Sequence, residues 1–519
     1  MSDKFSYDQV PYQSTFQPQI YPDRMATLAT ILGMKPAPPD KCRYLELGCG
    51  EGDNLIAFAF SLPESDFVGI DLSARHIEAA ERMVAELGLK NIRFLQKDVM
   101  DLGREEFGEF DYIAAHGLFS WVPDFVRERV LDLYAEMLAP EGVGYLSYNT
   151  LPGGYMRQMM RDMMQFHTID EPLSLDKVEK GLSILGFLRD SVRGDKYYRS
   201  ILENEIGFVT NHSPASILHD ELGELNRPFY FHEFVKTAAE HGLQYLSEAE
   251  YFTMPMHEYP PQTAEALASF GEDIIRREQY IDFLRCRRFR QTLLCRAGVE
   301  IDRDVKPEKI RRFYISSAFS PVDKESALTE NKPEKFRVPN GPTAELEHPL
   351  TKTALAHLGG IWVDSIRFDD LMDLARRGLE EKGAAIDDWE KELHTTCAIL
   401  LELYVSGLVK LNLHRPQMTR EVGENPTASS FVRWQLGRGE DVVTALNISQ
   451  VKVDDSFFKA LLTMLDGTRS RLDLKKELRQ KIGAGEFADV GEKSALLRDL
   501  PMMVKNNLQE IADLGLLIS

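Results

Sequence analysis

Residues 42–149 predict a doubly wound α/β sheet, on two observations. Short apolar runs of strand length alternate there with stretches whose apolar residues recur at helical spacing. The first run ends in a glycine-rich turn. Strand and helix in strict turn build parallel βαβ units. CRYLEL, DFVGID, NIRFLQ, FDYIAA and GVGYLSY, rich in β-branched and aromatic residues, predict five strands. DNLIAFAFSL, SARHIEAAERMVAELG and VRERVLDLYAEMLAP predict helices among them. Ser73 is the expected N-cap and Gly88 the expected C′ residue of the second helix. Pro140 and Gly142 punctuate the approach to the fifth strand.

After TLPGGYMR the pattern changes. Residues 155–225 read as a helical insertion, in which MRQMMRDMM is a packed face. FHEFVKTAAEHGLQYLSEAEYF then predicts a helix closed by Gly242 and a strand, and RRFRQTLLCRAGV a further strand, so the sheet resumes at 226 and ends near 300. Beyond 301 a weak repeat relates LAHLGGIWVDSIRFDDLMDLARRGL to LLTMLDGTRSRLDLKKELRQKI, and each copy is followed by a helix running into a short apolar strand. Helix, helix, helix, strand predicts two mostly α, winged-helix-like modules, 301–430 and 431–519. MTREVGENPTASS and GRGEDVV read as linker and loop. The expected division is 1–154, 155–225, 226–300 and these two modules.

Of 519 residues 43% are hydrophobic and 28% charged, a globular balance. The net charge of −21 repels phosphate backbones and suits a cationic partner, so no nucleic acid is expected. Five scattered cysteines with no metal-ligand spacing, no signal-peptide pattern and no long apolar run predict a cytoplasmic chain without membrane or metal.

The chemistry gathers at ELGCGEG. Glu46 ends the first strand, and Gly48, Gly50 and Gly52 let the backbone take positive φ close to a ligand. The spacing is GxGxG; the third glycine of a dinucleotide fingerprint is replaced by Asp53. Asp53 and Asn54 beside the loop suit a cofactor with an ammonium group and no pyrophosphate. Asp71, at the end of the second strand, is placed to accept from both ribose hydroxyls. Asp98, after the third, is placed to accept from an adenine amino group, with the Val99 N–H toward the ring. Together these predict S-adenosyl-L-methionine (SAM), with Cys49 and Leu72 completing the cofactor-facing set.

With these residues in place the chain resembles the bacterial class I methyltransferases carrying a methyltransferase regulatory domain, a group that includes rickettsial protein lysine methyltransferases. The stretches that carry the resemblance include YDQVPYQSTFQPQIYPDRM, YLELGCGEGDNLIAFA, FVGIDLS, FDYIAAHGLFSWVP, LSYNTLPG, LHDELGELNRPFYFHEFVKTAAEHGLQYL, FLRCRRFRQTLL and LLTMLDGTRSRLDL. It implies a Rossmann-like core, an N-terminal arm (Tyr7, Pro11, Tyr12) folded over the cofactor, His116 and Trp121 facing the methyl group, and dimerisation through the insertion. Tyr21 stands where relatives commonly carry histidine, and Gly154 where an aromatic is usual, which leaves lysine specificity open.

His116 reads as a substrate-orienting residue, a base or a structural hydrogen-bonder; Trp121 as cofactor cap or packing. Tyr148 and Asn149, at the carboxyl end of the fifth strand, are substrate-facing candidates. His212, His219 and His232 match no ligand spacing and read as structural. Three functions remain open: methylation of a protein lysine, methylation of a small molecule, and SAM binding by a non-catalytic regulator.

Overall fold

The computed structural model describes residues 10, 12, 15–172, 174–254, 259–323, 327–339, 341–384 and 386–519. Tyr7 and Pro11 lie outside them. Strands β1 (Arg43–Leu47), β2 (Asp66–Asp71), β3 (Ile92–Gln96), β4 (Phe110–Ala115), β5 (Leu138–Asn149), β6 (Leu243–Glu248) and β7 (Phe289–Arg296) form one sheet in the order β3-β2-β1-β4-β5-β7-β6. β1 to β5 pair in parallel, and β7 lies antiparallel between β5 and β6. β5 starts at Leu138, ahead of the Pro140 and Gly142 punctuation, because Leu138 pairs with Phe110 before a register shift.

Alternation along each strand sorts the side chains into two apolar layers. Tyr44, Phe67, Tyr112 and Tyr145 face α1 (Pro22–Ile31), α2 (Asp53–Ser61) and α3 (Ala74–Leu87). Leu45, Ile70, Ile113 and Tyr148 face the far layer. The short α4 (Arg104–Phe107) leads into β4, α5 (Asp124–Met137) precedes β5, and the far layer also holds α10 (Phe231–Glu240). Ser73 caps α3 by accepting from the His76 N–H, and Gly88 closes it at φ 66°, the positions their residue types favour.

Between β5 and α10 run α6 (Gly154–His167), α7 (Leu175–Ser191), α8 (Lys196–Thr210) and α9 (Pro214–Asp220), packed around Met160, Met164, Leu185 and Leu202. α11 (Pro261–Ala268) and α12 (Ile274–Arg285) precede β7.

Two further apolar clusters follow. One gathers α13 (Pro349–Ile361), α14 (Phe368–Glu380) and α15 (Trp389–Val405). They accompany β8 (Tyr314–Ser316), β9 (Ser320–Pro321), β10 (Glu334–Arg337), β11 (Thr343–Leu346), β12 (Ile366–Arg367) and β13 (Lys410–Asn412), with β8 between β12 and β13. The other gathers α16 (Ser430–Gly437), α17 (Ser456–Met464), α18 (Arg471–Ala484) and α19 (Lys493–Asp513). The GRGEDVV stretch read as loop contributes β14 (Val442–Thr444), paired with β15 (Gln450–Lys452). Both units rest on the sheet-bearing core. Asp23 of α1 accepts from Asn412 Nδ2 and from the Leu413 and His414 N–H groups, and Trp434 Nε1 donates to Glu86 at 2.9 Å.

No helix among the described residues is long and apolar enough to cross a membrane.

Candidate active site

The carboxyl ends of β1, β2, β4 and β5 meet at one edge of the sheet, where open α/β folds bind ligands. Gly48, Gly50 and Gly52 take φ of 72°, 56° and 83°. A Cβ on Gly52 would fall 2.3 Å from the Phe94 ring, so the turn admits only glycine there. Asp71 holds the turn closed: one carboxylate oxygen accepts from the Gly50 N–H and the other from the Ser73 N–H, both at 2.9 Å. Each oxygen keeps a lone pair for a hydroxyl. Leu72 beside it is 46% exposed, whereas Cys49 is buried and its thiol pushed up by that burial. Asp98 caps a short 3-10 turn, Val99–Asp101, whose first N–H has no partner within the turn.

Glu46 is the unusual member. Asn54 Nδ2 stands 3.4 Å from one carboxyl oxygen, and no described residue donates to the other, which is buried. Burial, reinforced by Asp53 and Asp71, raises its pKa to about 8. A buried carboxyl without a donor beside a glycine turn fits an ammonium group. Asn54 in turn accepts from the Gln17 N–H at 2.7 Å, so the arm crosses the turn. Tyr12 lies farther along: its hydroxyl donates to Asp220 and its ring meets His219 edge-on.

Parity on β5 decides the substrate side. Tyr148 packs in the far layer, stacked 4.1 Å from Phe234 with its hydroxyl at Thr292, so it does not face the edge where His116 stands. Tyr145, which sequence reasoning passed over, takes that place: its hydroxyl lies 2.8 Å from His116 Nδ1. Burial keeps the Tyr145 proton on, so the two share one hydrogen bond whose direction follows the imidazole tautomer. Burial holds the imidazole pKa down to about 4. His116 is thus a neutral imidazole at physiological pH and a weak base. Asn149 Nδ2 donates to Asn226 and its backbone N–H to Ser120 Oγ, while no described donor reaches its Oδ1. Phe289, 41% exposed, meets His116 edge-on at 5.9 Å and was also missed. Trp121 lies under the guanidinium groups of Arg157 and Arg161.

The two positions where the sequence departs from the family pattern lie in packing. Tyr21 is buried against Phe58 with its hydroxyl toward Ser61, and Gly154 opens α6 against Pro228. His212, His219 and His232 hydrogen-bond separately to Phe208, Val10 and Gln279.

Three family models match: a methyltransferase domain over 45–143, a predicted methyltransferase regulatory domain over 213–296, and a PKMT C-terminal winged helix domain over 424–516. An uncharacterised Rickettsia prowazekii protein is 36% identical over 238 residues, 46% of this chain and 95% of the relative. The chain belongs to the SAM-dependent methyltransferases that carry a methyltransferase regulatory domain. A second protein of that organism is 40% identical over 316 residues, 61% of this methyltransferase; the match spans 57% of the relative's own length. The structure of PKMT2 from Rickettsia typhi in complex with AdoHcy superposes with a TM-score of 0.84 at 27% identity, covering 98% of this methyltransferase and all of that chain.

The pKa of Glu46 has a measurable consequence. An ammonium ligand binds the ionised carboxylate, so below the raised pKa binding must release a proton. Affinity for the cofactor therefore rises with pH, by about tenfold between about pH 6 and about pH 7. Glu46→Gln flattens that slope, which calorimetric titration at each pH reads directly.

Proposed function

We propose that the chain transfers the methyl group of SAM to the side-chain amine of a protein lysine. The observation that carries this reading is the likeness to PKMT2 along nearly the whole length, C-terminal modules included. Bound SAM supplies a sulfonium methyl for in-line displacement. Asp71 is assigned to the ribose, Asp98 and Val99 to the adenine, and Glu46 with Gly48 and Gly50 to the methionyl end; Cys49, Leu72 and Trp121 border them. Tyr12 belongs to the arm that closes over Asn54. The lysine stem lies along Phe289, Asn149 Oδ1 accepts from the amine, and His116 orients the substrate.

A lysine amine near pKa 10.4 must lose its proton before it attacks. Glu46 serves the cofactor and burial holds His116 down to about 4, so loss to water before alignment is the assigned route. The acidic surface, −21 net, favours a lysine-rich partner. The division of the chain at 154, 225, 300 and 430 is part of this reading, supported by clusters that stay almost wholly within each stretch.

Methyl-labelled SAM incubated with the chain and a bacterial lysate tests the proposal. The expected result is label in protein, released as methylated lysine on acid hydrolysis; label confined to small molecules overturns it.

The insertion is proposed as a homodimer contact, because Phe166, Ile169, Phe187 and Tyr197 stand exposed on it at 81, 75, 63 and 87%. Phe187→Glu is expected to shift sedimentation from dimer toward monomer.

A further inference from the structure

A cavity of about 450 Å³ lies where α1, the segment after β6, β13 and the Asn447–Gln450 turn meet. None of Glu46, Asp71, Asp98, His116 or Asn149 borders it. Two cations do: Arg24 from α1 and Lys410 from β13. No described residue makes a hydrogen bond or ion pair with the Arg24 guanidinium, and the Lys410 ammonium rests only over the Trp362 indole, 5.3 Å from its centroid. Burial pushes both pKa values down; Tyr404, Glu250 and Asp23 work against it at Arg24, while Arg24 depresses Lys410 further.

The carboxylates that share the wall take their hydrogen bonds from other groups: Asp23 accepts from Asn412 and the N–H groups of Leu413 and His414, and one oxygen of Glu250 accepts from Gln19. The rest of the wall is aromatic, with Tyr251 and Tyr404 stacked at 6.3 Å. Ile448, in the same wall, holds a φ of 63°, a conformation costly for a β-branched residue and characteristic of ligand clamps.

Two cations with no direct hydrogen-bonded counter-ion among the described residues, in a partly closed cavity, cost free energy that an oxyanion in contact with both would offset. In a chain of net charge −21 they are not a general basic surface. We propose that this cavity binds a small aromatic anion, an aryl carboxylate or aryl phosphate, with the oxyanion between Arg24 and Lys410 and the ring between Trp362 and Tyr404. A guanidinium fork suits an oxyanion in two-point contact, and the volume is that of a small-molecule site. The occupant touches the core through α1 and both C-terminal units through β13 and the Asn447–Gln450 turn. It therefore acts as a tie among them, separate from the cofactor.

The test is thermal unfolding of the full chain with the cofactor site first saturated by S-adenosylhomocysteine, whose own shift is recorded separately. Phenyl phosphate, benzoate and inorganic phosphate are then added at constant ionic strength. The expected result is a further rise in melting temperature with phenyl phosphate or benzoate at concentrations at least tenfold below those at which inorganic phosphate acts. Lys410→Met and Arg24→Met each abolish that rise while keeping the shift with S-adenosylhomocysteine. Lys410→Met alone decides the matter if Arg24→Met does not fold. No rise with either aryl anion, or an undiminished rise in Lys410→Met, overturns the site. A rise with inorganic phosphate equal to that with the aryl anions overturns the aromatic half of the assignment.

Discussion

Asp71→Ala is expected to weaken SAM binding by at least about 100-fold, since each hydrogen bond to a charged group contributes roughly 1.5–3 kcal/mol and two ribose hydroxyls are proposed to share this carboxylate. The same carboxylate also holds the turn, by accepting from the Gly50 and Ser73 N–H groups. The loss is therefore larger than that of two ligand contacts, because the unliganded turn loosens as well. Stability falls by far less. Asp71 lies at the rim of the edge, about 13% exposed, and water satisfies the released N–H groups. Calorimetry gives the affinity and chemical unfolding the stability. Affinity within about tenfold of the parent chain would remove Asp71 from the ribose site.

What was legible in the sequence follows from what is local. GxGxG, Asp71 at a strand end and Ser73 before an amphipathic run each act through neighbours in the chain, so their types and spacing reveal them. The choice between Tyr145 and Tyr148 is not local in this sense. Both end the same apolar strand, and a shift of one residue in parity moves a side chain to the other face. Only the packing of Phe234 against Tyr148 and of His116 against Tyr145 distinguishes them. Phe289 was hidden for a related reason. β7 enters the sheet between β5 and β6, so RRFR, remote in sequence, comes to border Asn149. β14 and β15 are three residues each, too short for alternation to show, and their glycine-rich approach reads as loop. The Arg24–Lys410 cavity requires the modules to be folded back onto α1, which no spacing encodes.

Arg290→Met is expected to destabilise the chain by about 3–5 kcal/mol, the cost of stripping a buried ion pair of one partner. Arg290 has no exposed surface in its side chain and contacts Glu248, Glu278 and Asp282, while its guanidinium lies 3.9 Å from the Phe231 ring centroid. Arg287 adds a second cation near Glu248 and Asp282. Three carboxyls against two guanidiniums leave one negative charge too many in an apolar layer. Burial raises the carboxyls of both Glu278 and Asp282 against the pull of Arg290, which eases the charge the layer must hold. Glu248 goes the other way, because the attraction of Arg290 and Arg287 outweighs the burial that opposes it. Without Arg290 the three carboxyls would have Arg287 alone, at the junction of β6, β7 and α12. β7 is also the strand that presents Phe289 to His116, so loss of register there carries into the site. Urea unfolding of the full chain measures the effect. Arg290→Met combined with Asp282→Leu should recover part of the loss, because the second change removes a charge that the first left unpaired. If the double variant were less stable by the plain sum of the two single effects, the cluster would not be a coupled unit, and its role would reduce to packing around Phe231.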